Sequence, residues 1–193
     1  MCPMRCFLAI ELSEPARAHL LGAQAMLRDL LPKLSIPRAE NLHVTLKFLG
    51  DADDRQLDAV YESLRHVQVD GRLELAASAM SAFPQRGAAR VLVASMAGSE
   101  AVVAALHNAV EQRCRRLGFT SEQRRYHPHV TLARCARGVP PEQQRALVER
   151  VQGHWPGPTF VVARFVLFHS QRHPEGSRYI KLATFPLSAA PVE

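Results

Sequence analysis

The tetrapeptide His-Val-Thr-Leu occurs twice in this chain, at residues 43–46 and at residues 129–132. Both copies lie in segments where apolar and polar residues alternate, the pattern of a β-strand with one buried face. Because successive side chains of a strand point to opposite faces, the histidine and threonine of each copy share one face. The repetition predicts two similar lobes, each anchored by its valine and leucine and each presenting its polar pair to a cleft.

The residues around the two copies predict alternating strands and helices. Strands 73–83 and 90–96, and strands 159–169 and 178–185, are separated by loops that contain glycine and proline, as in antiparallel hairpins. The strand that carries the first copy is expected to end at a turn of Gly50 and Asp51. This order favours an α+β fold with antiparallel or mixed sheets over a doubly wound parallel sheet. The other predicted strands span residues 7–12, 42–49 and 129–135, and the predicted helices span residues 13–31, 57–67, 99–117 and 140–151.

Length and composition fit one folded domain. Of the 193 residues, 47% are hydrophobic and 22% are charged, values that are ordinary for a globular protein and unlike those of disordered or fibrous chains. We expect a single bilobal domain over residues 1–187 and a disordered tail over residues 188–193. The longest N-terminal apolar stretch is interrupted by Glu11, and no run approaches the roughly 18 residues that cross a bilayer, so no transmembrane or secretory segment is predicted.

The net charge of +6 comes almost entirely from arginine, since only Lys33, Lys47 and Lys181 are lysines. Arginine binds phosphate through two parallel hydrogen bonds, so the charge is compatible with a polyanionic partner, and equally with an arginine-rich residue usage that has no functional meaning. The four cysteines are scattered and form no C-x-x-C pair, which fits neither a disulfide scaffold nor a zinc module. We expect reduced thiols and a cytoplasmic protein.

Two imidazoles that face one another across a cleft suit the cleavage of a phosphodiester. With an ordinary pKa near 6.5, one histidine can take a proton from water while the other donates a proton to the leaving oxygen. The threonine hydroxyls can donate to the phosphate oxygens, where negative charge accumulates. No metal is required in principle, and residues 127–129 (His-Pro-His) lack a nearby carboxylate or thiolate at the spacing of metal ligands.

Segments 7–12 (FLAIEL), 41–50 (NLHVTLKFLG) and 128–134 (PHVTLAR) together resemble the 2H phosphoesterase superfamily. Within it they are most similar to the bacterial and archaeal RNA 2′,3′-cyclic phosphodiesterases, long called 2′-5′ RNA ligases. The likeness extends from Arg5 to Leu187. The resemblance implies a LigT-like α+β fold that is pseudo-symmetric and bilobal, with antiparallel sheets lining a central groove and helices outside.

The resemblance also implies a role for each site residue. His43 would donate a proton to the 3′ oxygen and His129 would accept one from water, so that an RNA 2′,3′-cyclic phosphate opens to a 2′-phosphate. Thr45 and Thr131 would bind the phosphate, and Arg134 matches a family arginine that contacts it. No metal or cofactor is expected. The expected partner is RNA that ends in a 2′,3′-cyclic phosphate, including tRNA fragments or nucleotides, and the protein is expected to be a monomer.

Strand alternation bears on the residues next to the motifs. Arg134 has the parity of the apolar face, so it can reach the phosphate only if the strand twists or bulges. Phe48 is a candidate for stacking on a nucleobase, but its parity predicts packing in the core. Lys47 has the parity of the polar face and is predicted to be solvated. His127 faces the same way as His129 and is a candidate substrate-binding residue that adds positive charge.

Three further expectations concern residues outside the motifs. Tyr126 is another candidate for stacking on a base. Val93 stands where many relatives carry tryptophan, which affects the expected shape of the substrate pocket. The histidines on or beside predicted helices are expected at surface or rim positions; they are His19, His66, His107 and His154.

The same residues leave other functions open. A ligase that runs the reaction in reverse would join a 5′-hydroxyl to the cyclic phosphate through a 2′-5′ bond. A second alternative keeps the chemistry and acts on a small cyclic nucleotide or a 2′-5′-linked oligonucleotide. A third is a non-catalytic RNA-binding module that uses an arginine-rich groove and retains the histidines for contact with anions.

Overall fold

Strands and helices alternate along the chain in the computed structural model, which describes residues 3–31, 34–84, 86–174 and 176–187. The tail expected at residues 188–193 lies outside the described residues. The strands are β1 (Met4–Glu11), β2 (His43–Ala52), β3 (Glu74–Phe83), β4 (Ala89–Gly98), β5 (His129–Val139), β6 (Phe160–Val161), β7 (Arg164–His173) and β8 (Gly176–Pro186). The helices are α1 (Glu14–Leu30), α2 (Asp54–Leu64), α3 (Glu100–Arg116) and α4 (Pro141–Val151).

The strands form one eight-stranded sheet in the order β6-β3-β4-β5-β2-β1-β7-β8, and neighbouring strands pair antiparallel. The sheet consists of two four-stranded halves. Between them, β2 and β5 share a single registered pair, Val44 with Val130, whereas the other long neighbours share several pairs. The predicted α+β class with two related lobes is confirmed, and the expected separate sheets meet at this one pair.

The half of the sheet that contains β2, β1, β7 and β8 is curled. In the sheet order β8 lies three strands from β2, yet the side chain of Asn41, just before β2, donates a hydrogen bond to the carbonyl oxygen of Ser177 in β8 at 2.6 Å. The edge strand therefore closes over the beginning of β2. This closure makes a concave face in the first half of the sheet.

The helices cover the convex face of the sheet and bury their apolar stripes there. In α1, Leu20, Ala23 and Leu27 recur at helical spacing and are fully buried. The helix begins where the Ser13 hydroxyl accepts a hydrogen bond from the Ala16 amide. One large core cluster lies between helices and sheet. A second, smaller cluster lies on the concave face and joins Phe7, Ala9, Val166 and Phe168 to the half-buried Tyr179.

Two strand boundaries differ from the predictions. The turn predicted at Gly50 and Asp51 is wrong, because β2 continues to Ala52 with Gly50 at a φ of +76° beside a register shift. Glycine takes this conformation without strain, so the strand can absorb an extra residue there. The single strand predicted over residues 159–169 is two strands, of which β6 pairs with β3 in one half and β7 with β1 in the other.

The described cysteines, Cys6, Cys114 and Cys135, are free thiols. Cys2 lies outside the described residues. Burial raises the pKa of Cys6 to about 11 and the pKa of Cys114 to about 12, so both remain protonated. Among the described helices, none combines the length and the apolar character needed to span a membrane.

Candidate active site

The register of β2 and β5 puts both polar pairs on one face of the sheet. Val44 and Val130 pair directly and are completely buried on the helix side. The residues on either side of each valine therefore point to the concave side; they are His43, Thr45, His129 and Thr131. Diagonal neighbours across an antiparallel pair are about 7–8 Å apart, a span that leaves room for one phosphate group between the two imidazoles.

Both histidines are held by the same kind of hydrogen bond to the backbone. The Nδ1 of His43 lies 2.7 Å from the carbonyl oxygen of Asn41, and the Nδ1 of His129 lies 2.7 Å from the carbonyl oxygen of His127. A carbonyl can only accept, so Nδ1 carries the proton in each ring and the neutral form has an unprotonated Nε2. Each motif thus fixes the tautomer of its histidine through the residue two positions before it.

His43 lies in a largely apolar environment. Its ring centroid is 4.9 Å from that of Phe7 and 5.4 Å from that of Tyr179, and its Nε2 is 3.0 Å from the Thr45 hydroxyl. Burial lowers the pKa of His43 to about 4; the hydrogen bond to Asn41 opposes this effect, and the positive charges of His129 and Arg134 add to it. His43 is therefore neutral at pH 7 in the free protein.

A bulge in each motif strand turns the following residues over. Leu46 is the extra residue in β2, because Ala9 pairs with Thr45 and Leu8 with Lys47. In β5 the extra residue is Leu132, because Val93 pairs with Thr131 and Leu92 with Ala133. A one-residue insertion reverses the parity of every side chain after it. Beyond both bulges the sequence alternation therefore predicts the wrong face.

The bulges decide the positions of Arg134, Phe48 and Lys47. Arg134 turns to the concave side, close enough for its charge to act on His43 and Tyr179, as its predicted role requires. The prediction that Phe48 packs in the core is wrong: it is 65% exposed on the concave side, with its ring 6.0 Å from that of Phe7. The prediction that Lys47 is solvated is also wrong, since it is 4% exposed and forms an ion pair of 2.8 Å with Glu111.

The second half-site has smaller and more polar neighbours. Ser95 of β4 pairs with His129, and its hydroxyl is 2.9 Å from that of Ser81 in β3. The ring of Phe83 lies 5.7 Å from His129. Val93, which stands where many relatives were expected to carry tryptophan, pairs with Thr131 and is fully buried. The wall beside Thr131 therefore carries an aliphatic side chain.

Comparison with known proteins places the chain in a family. A model of the 2′-5′ RNA ligase superfamily matches residues 14–174. The chain belongs to this superfamily. It is similar to an RNA 2′,3′-cyclic phosphodiesterase of Aeropyrum pernix, with 30% identity over 127 residues that cover 63% of this chain and 72% of the relative. An RNA 2′,3′-cyclic phosphodiesterase of Methanothermobacter thermautotrophicus is 27% identical over 188 residues, or 95% of this chain and 99% of the relative.

The fold also has a solved counterpart. A crystal structure of a Thermus thermophilus protein superposes with a TM-score of 0.77 at 25% identity, and the match covers 96% of this chain and 99% of that one. The predicted resemblance to the 2H phosphoesterases, with their LigT-like fold, is confirmed.

Two residues that contact His43 were not among the predicted site residues. Asn41 orients His43 with its carbonyl and ties β8 down with its side chain, and Tyr179 covers the His43 ring. For Asn41 a signal was available, because it stands two residues before His43 as His127 stands before His129. The position of Tyr179 depends on the curl of the sheet, which leaves no mark in the local sequence.

Other predicted residues have different surroundings from those expected. His127 contributes its backbone carbonyl, its side chain is exposed, and its contact with substrate stays a prediction. Tyr126 does not line the groove, because its ring stacks on His107 at 4.0 Å and its hydroxyl donates to the Thr45 carbonyl. The surface position predicted for His107 is wrong, since it is 8% exposed.

Two of the remaining helix histidines are partly buried. His19 and His154 are half-buried and stack on each other with ring centroids 4.0 Å apart. Burial, with the neighbouring His154, lowers the pKa of His19. His66 is exposed, as predicted.

A cavity of about 540 Å³ adjoins the first half-site. Asn41 and Tyr179, which contact His43, line this cavity. Its charged lining residues are Arg38, Arg178 and Glu40. Among the described residues, no cluster of three or more histidine, cysteine, aspartate or glutamate side chains is arranged to hold a metal ion.

Proposed function

We propose that this protein opens the 2′,3′-cyclic phosphate at RNA ends to a 2′-phosphate, by metal-independent catalysis with two histidines. The observation that carries the proposal is the matched orientation of His43 and His129, each with Nδ1 fixed on a carbonyl and Nε2 directed to the concave face. The names of the relatives from Aeropyrum pernix and Methanothermobacter thermautotrophicus support the same activity.

The reaction assigns one proton transfer to each ring. His129 Nε2 takes a proton from water as the water oxygen attacks phosphorus. The bond from phosphorus to O3′ breaks, and O3′ receives the Nε2 proton of His43. The products are a 2′-phosphate and a free 3′-hydroxyl, and the proton gained by His129 returns to His43 through solvent.

His43 needs a proton to act as the acid, and the free protein holds it neutral. The charges of His129 and Arg134 contribute to this, so an anion bound between the three groups offsets their effect. Burial remains the main cause of the lowered pKa of His43, and a bound phosphodiester raises that pKa toward the protonated form that donates to O3′. Thr45 and Thr131 donate hydrogen bonds to the phosphate oxygens, and Arg134 supplies the fixed positive charge.

The surroundings of the site favour an RNA end over a small cyclic nucleotide. Phe48 offers an exposed ring for a nucleobase on the concave side. The cavity beside Asn41 continues from His43 and carries Arg178, whose guanidinium suits the phosphate of the preceding nucleotide. A mononucleotide would leave that cavity unused.

Single alanine variants of the two histidines test the mechanism. We expect His43→Ala and His129→Ala each to lower kcat by about 10²–10⁴-fold on an oligonucleotide with a 2′,3′-cyclic phosphate end, measured in EDTA. His66→Ala, at an exposed histidine two residues after α2, is the matched control. We also expect the oligonucleotide to exceed a 2′,3′-cyclic mononucleotide in kcat/KM.

The competing functions give different results in the same assays. Near-full activity of either histidine variant would reject the assigned roles, and loss of wild-type activity in EDTA would reject metal independence. Binding of RNA without turnover would support the non-catalytic module. An NMR titration of His43 with inorganic phosphate supplies a further check, because a pKa that fails to rise would remove His43 as the acid.

A further inference from the structure

The two half-sites are weakly joined through the sheet itself. Val44 and Val130 form the single registered pair between β2 and β5, so the ladder joins the two half-sites at one point. Two-histidine catalysis requires a fixed separation of the rings, because a displacement of about 1 Å can cost 10²-fold in rate. Some other contact must therefore hold β2 against the segment that leads into β5.

Tyr126 provides a direct contact between the half-sites. Its hydroxyl donates a hydrogen bond of 3.1 Å to the backbone carbonyl of Thr45, the threonine of the first motif. Tyr126 itself belongs to the segment before β5, one residue before His127, whose carbonyl orients His129. One hydrogen bond thus links the backbone of the first motif to the residues that aim the histidine of the second.

The side chain of Tyr126 is well placed to keep this bond. Its ring lies flat on His107 of α3, with centroids 4.0 Å apart and planes 12° apart. Burial raises the pKa of Tyr126 well above its ordinary value, so the hydroxyl keeps the proton it donates.

The same segment is fixed at a second point on β2. Lys47, turned inward by the bulge, donates to the carbonyl oxygen of Thr120 at 2.8 Å and pairs with Glu111 of α3. Glu111 also accepts a hydrogen bond from the Glu122 amide. These contacts fix the chain at residues 120–122. The hydrogen bond from Tyr126 to Thr45 then fixes the position of residues 127–129 relative to β2.

We propose that Tyr126 is a positioning residue that sets the separation of His43 and His129 by tying the Thr45 backbone to the segment before β5. The inference rests on the proposed two-histidine reaction and adds a residue that touches neither substrate nor the reacting atoms. Tyr126 acts through the backbone of both motifs.

The test removes only the hydroxyl. Tyr126→Phe keeps the ring and its stacking on His107. We expect its kcat on the cyclic-phosphate oligonucleotide to fall about tenfold while KM changes less than twofold, because the phosphate contacts remain and the proton transfers lengthen. Tyr61→Phe, at an exposed tyrosine of α2, is the matched control and should keep the wild-type kcat. His107→Ala, which removes the surface under the ring, should lower kcat in the same way.

Two further measurements separate positioning from a loss of stability. Leu147→Ala in α4 gives a reference variant with a lowered Tm, and its kcat at a temperature where it is folded should match the wild type. NMR titration should show a changed pKa of His43 in Tyr126→Phe and an unchanged pKa in Tyr61→Phe. The electrostatic effect of His129 on His43 depends on the distance between the two rings.

The outcomes are distinct from those of the proposed function. Wild-type kcat in Tyr126→Phe, or a loss of kcat that Leu147→Ala reproduces, would overturn the positioning role. Absence of turnover in the wild type would reject the proposed function instead. In that case the NMR titration of His43 in Tyr126→Phe still tests whether Tyr126 controls the distance between His43 and His129.

Discussion

The two half-sites share a backbone plan and differ in what surrounds it. Each motif holds the Nδ1 of its histidine on the carbonyl two residues before, and each strand bulges at the leucine that follows the threonine. His43 lies against the rings of Phe7 and Tyr179, whereas His129 lies beside Ser95 and Phe83. The shared backbone aims the two rings, and burial among its own neighbours lowers the pKa of His43.

The bulges extend the comparison to the next two positions. Lys47 and Ala133 are equivalent and both turn to the helix side, where one forms a buried ion pair and the other fills the core. Phe48 and Arg134 are equivalent and both turn to the concave side. One half-site thus presents an exposed aromatic ring and the other a positive charge, although the backbone geometry is the same.

Lys47, which turns to the helix side, gives the largest expected effect on stability. Lys47→Met removes one partner of a pair whose side chains are 2% and 16% exposed and leaves the Glu111 carboxylate without its cation. We expect a loss of about 3 kcal/mol in the free energy of unfolding, measured by urea denaturation. The double variant Lys47→Met with Glu111→Leu should recover most of it.

The control for this prediction is an exposed ion pair. Lys181 lies 2.7 Å from Glu11 but its side chain is 55% exposed, so Lys181→Met should cost less than about 1 kcal/mol. Equal losses for the two lysines would mean that the inward turn of Lys47 stabilises nothing beyond a surface pair.

Of the positions that follow the two bulges, Arg134 gives the largest expected effect on catalysis. Arg134→Ala removes the fixed positive charge whose influence reaches His43 and Tyr179. We expect kcat/KM on the cyclic-phosphate oligonucleotide to fall about 10²-fold, and Arg134→Lys to recover only part of it, because lysine cannot bind phosphate through two parallel bonds. Arg137→Ala, three residues further along β5, serves as the control. If the kcat/KM of Arg134→Ala stays within threefold of the wild-type value, Arg134 has no role in the reaction although the bulge turns it to the concave side.

The local sequence was sufficient for the doubled motif, the α+β class and the shared face of each histidine and threonine. Those properties depend on strand alternation over three residues, and a strand keeps its alternation over so short a span. Alternation fails at Leu46 and Leu132, where an extra residue enters. The residue types at these positions do not predict a bulge, because leucine can occupy either face of a strand.

Properties set by distant contacts were also beyond the sequence. The burial of His43 depends on Tyr179, which the curl of the sheet brings over β2 from the far edge. The burial of His107 depends on the ring of Tyr126, from a segment without regular structure. Both contacts join residues far apart in the chain, so periodicity within one element carries no information about them.

The apolar environment of His43 predicts a pH dependence of stability. The folded protein holds the pKa of His43 at about 4, whereas the unfolded chain protonates the same residue near 6.5. The unfolded state therefore binds more protons below pH 6.5, and stability that is fully present above that pH is lost as the pH falls toward 4. Between pH 7 and pH 4.5 this residue should account for about 2–3 kcal/mol, measured as the difference in urea unfolding between wild type and His43→Gln. Parallel pH profiles for the two proteins would show that His43 is solvated in the folded state.

The smallest expected effect concerns Phe48, the counterpart of Arg134. Phe48→Ala removes a ring that is 65% exposed, so the Tm should stay unchanged, while KM for the oligonucleotide should rise about fivefold to tenfold through the loss of one stacked base. Phe48→Tyr keeps the ring and should keep the wild-type KM, and Val161→Ala, another exposed apolar residue, controls for general surface effects. Because stacking acts on the bound base and not on the developing charge at phosphorus, kcat should be unaffected, in contrast to Arg134→Ala. A fall in kcat without a change in KM would mean that the two equivalent positions act on the same step, and the assignment of stacking to one half-site and charge to the other would be wrong.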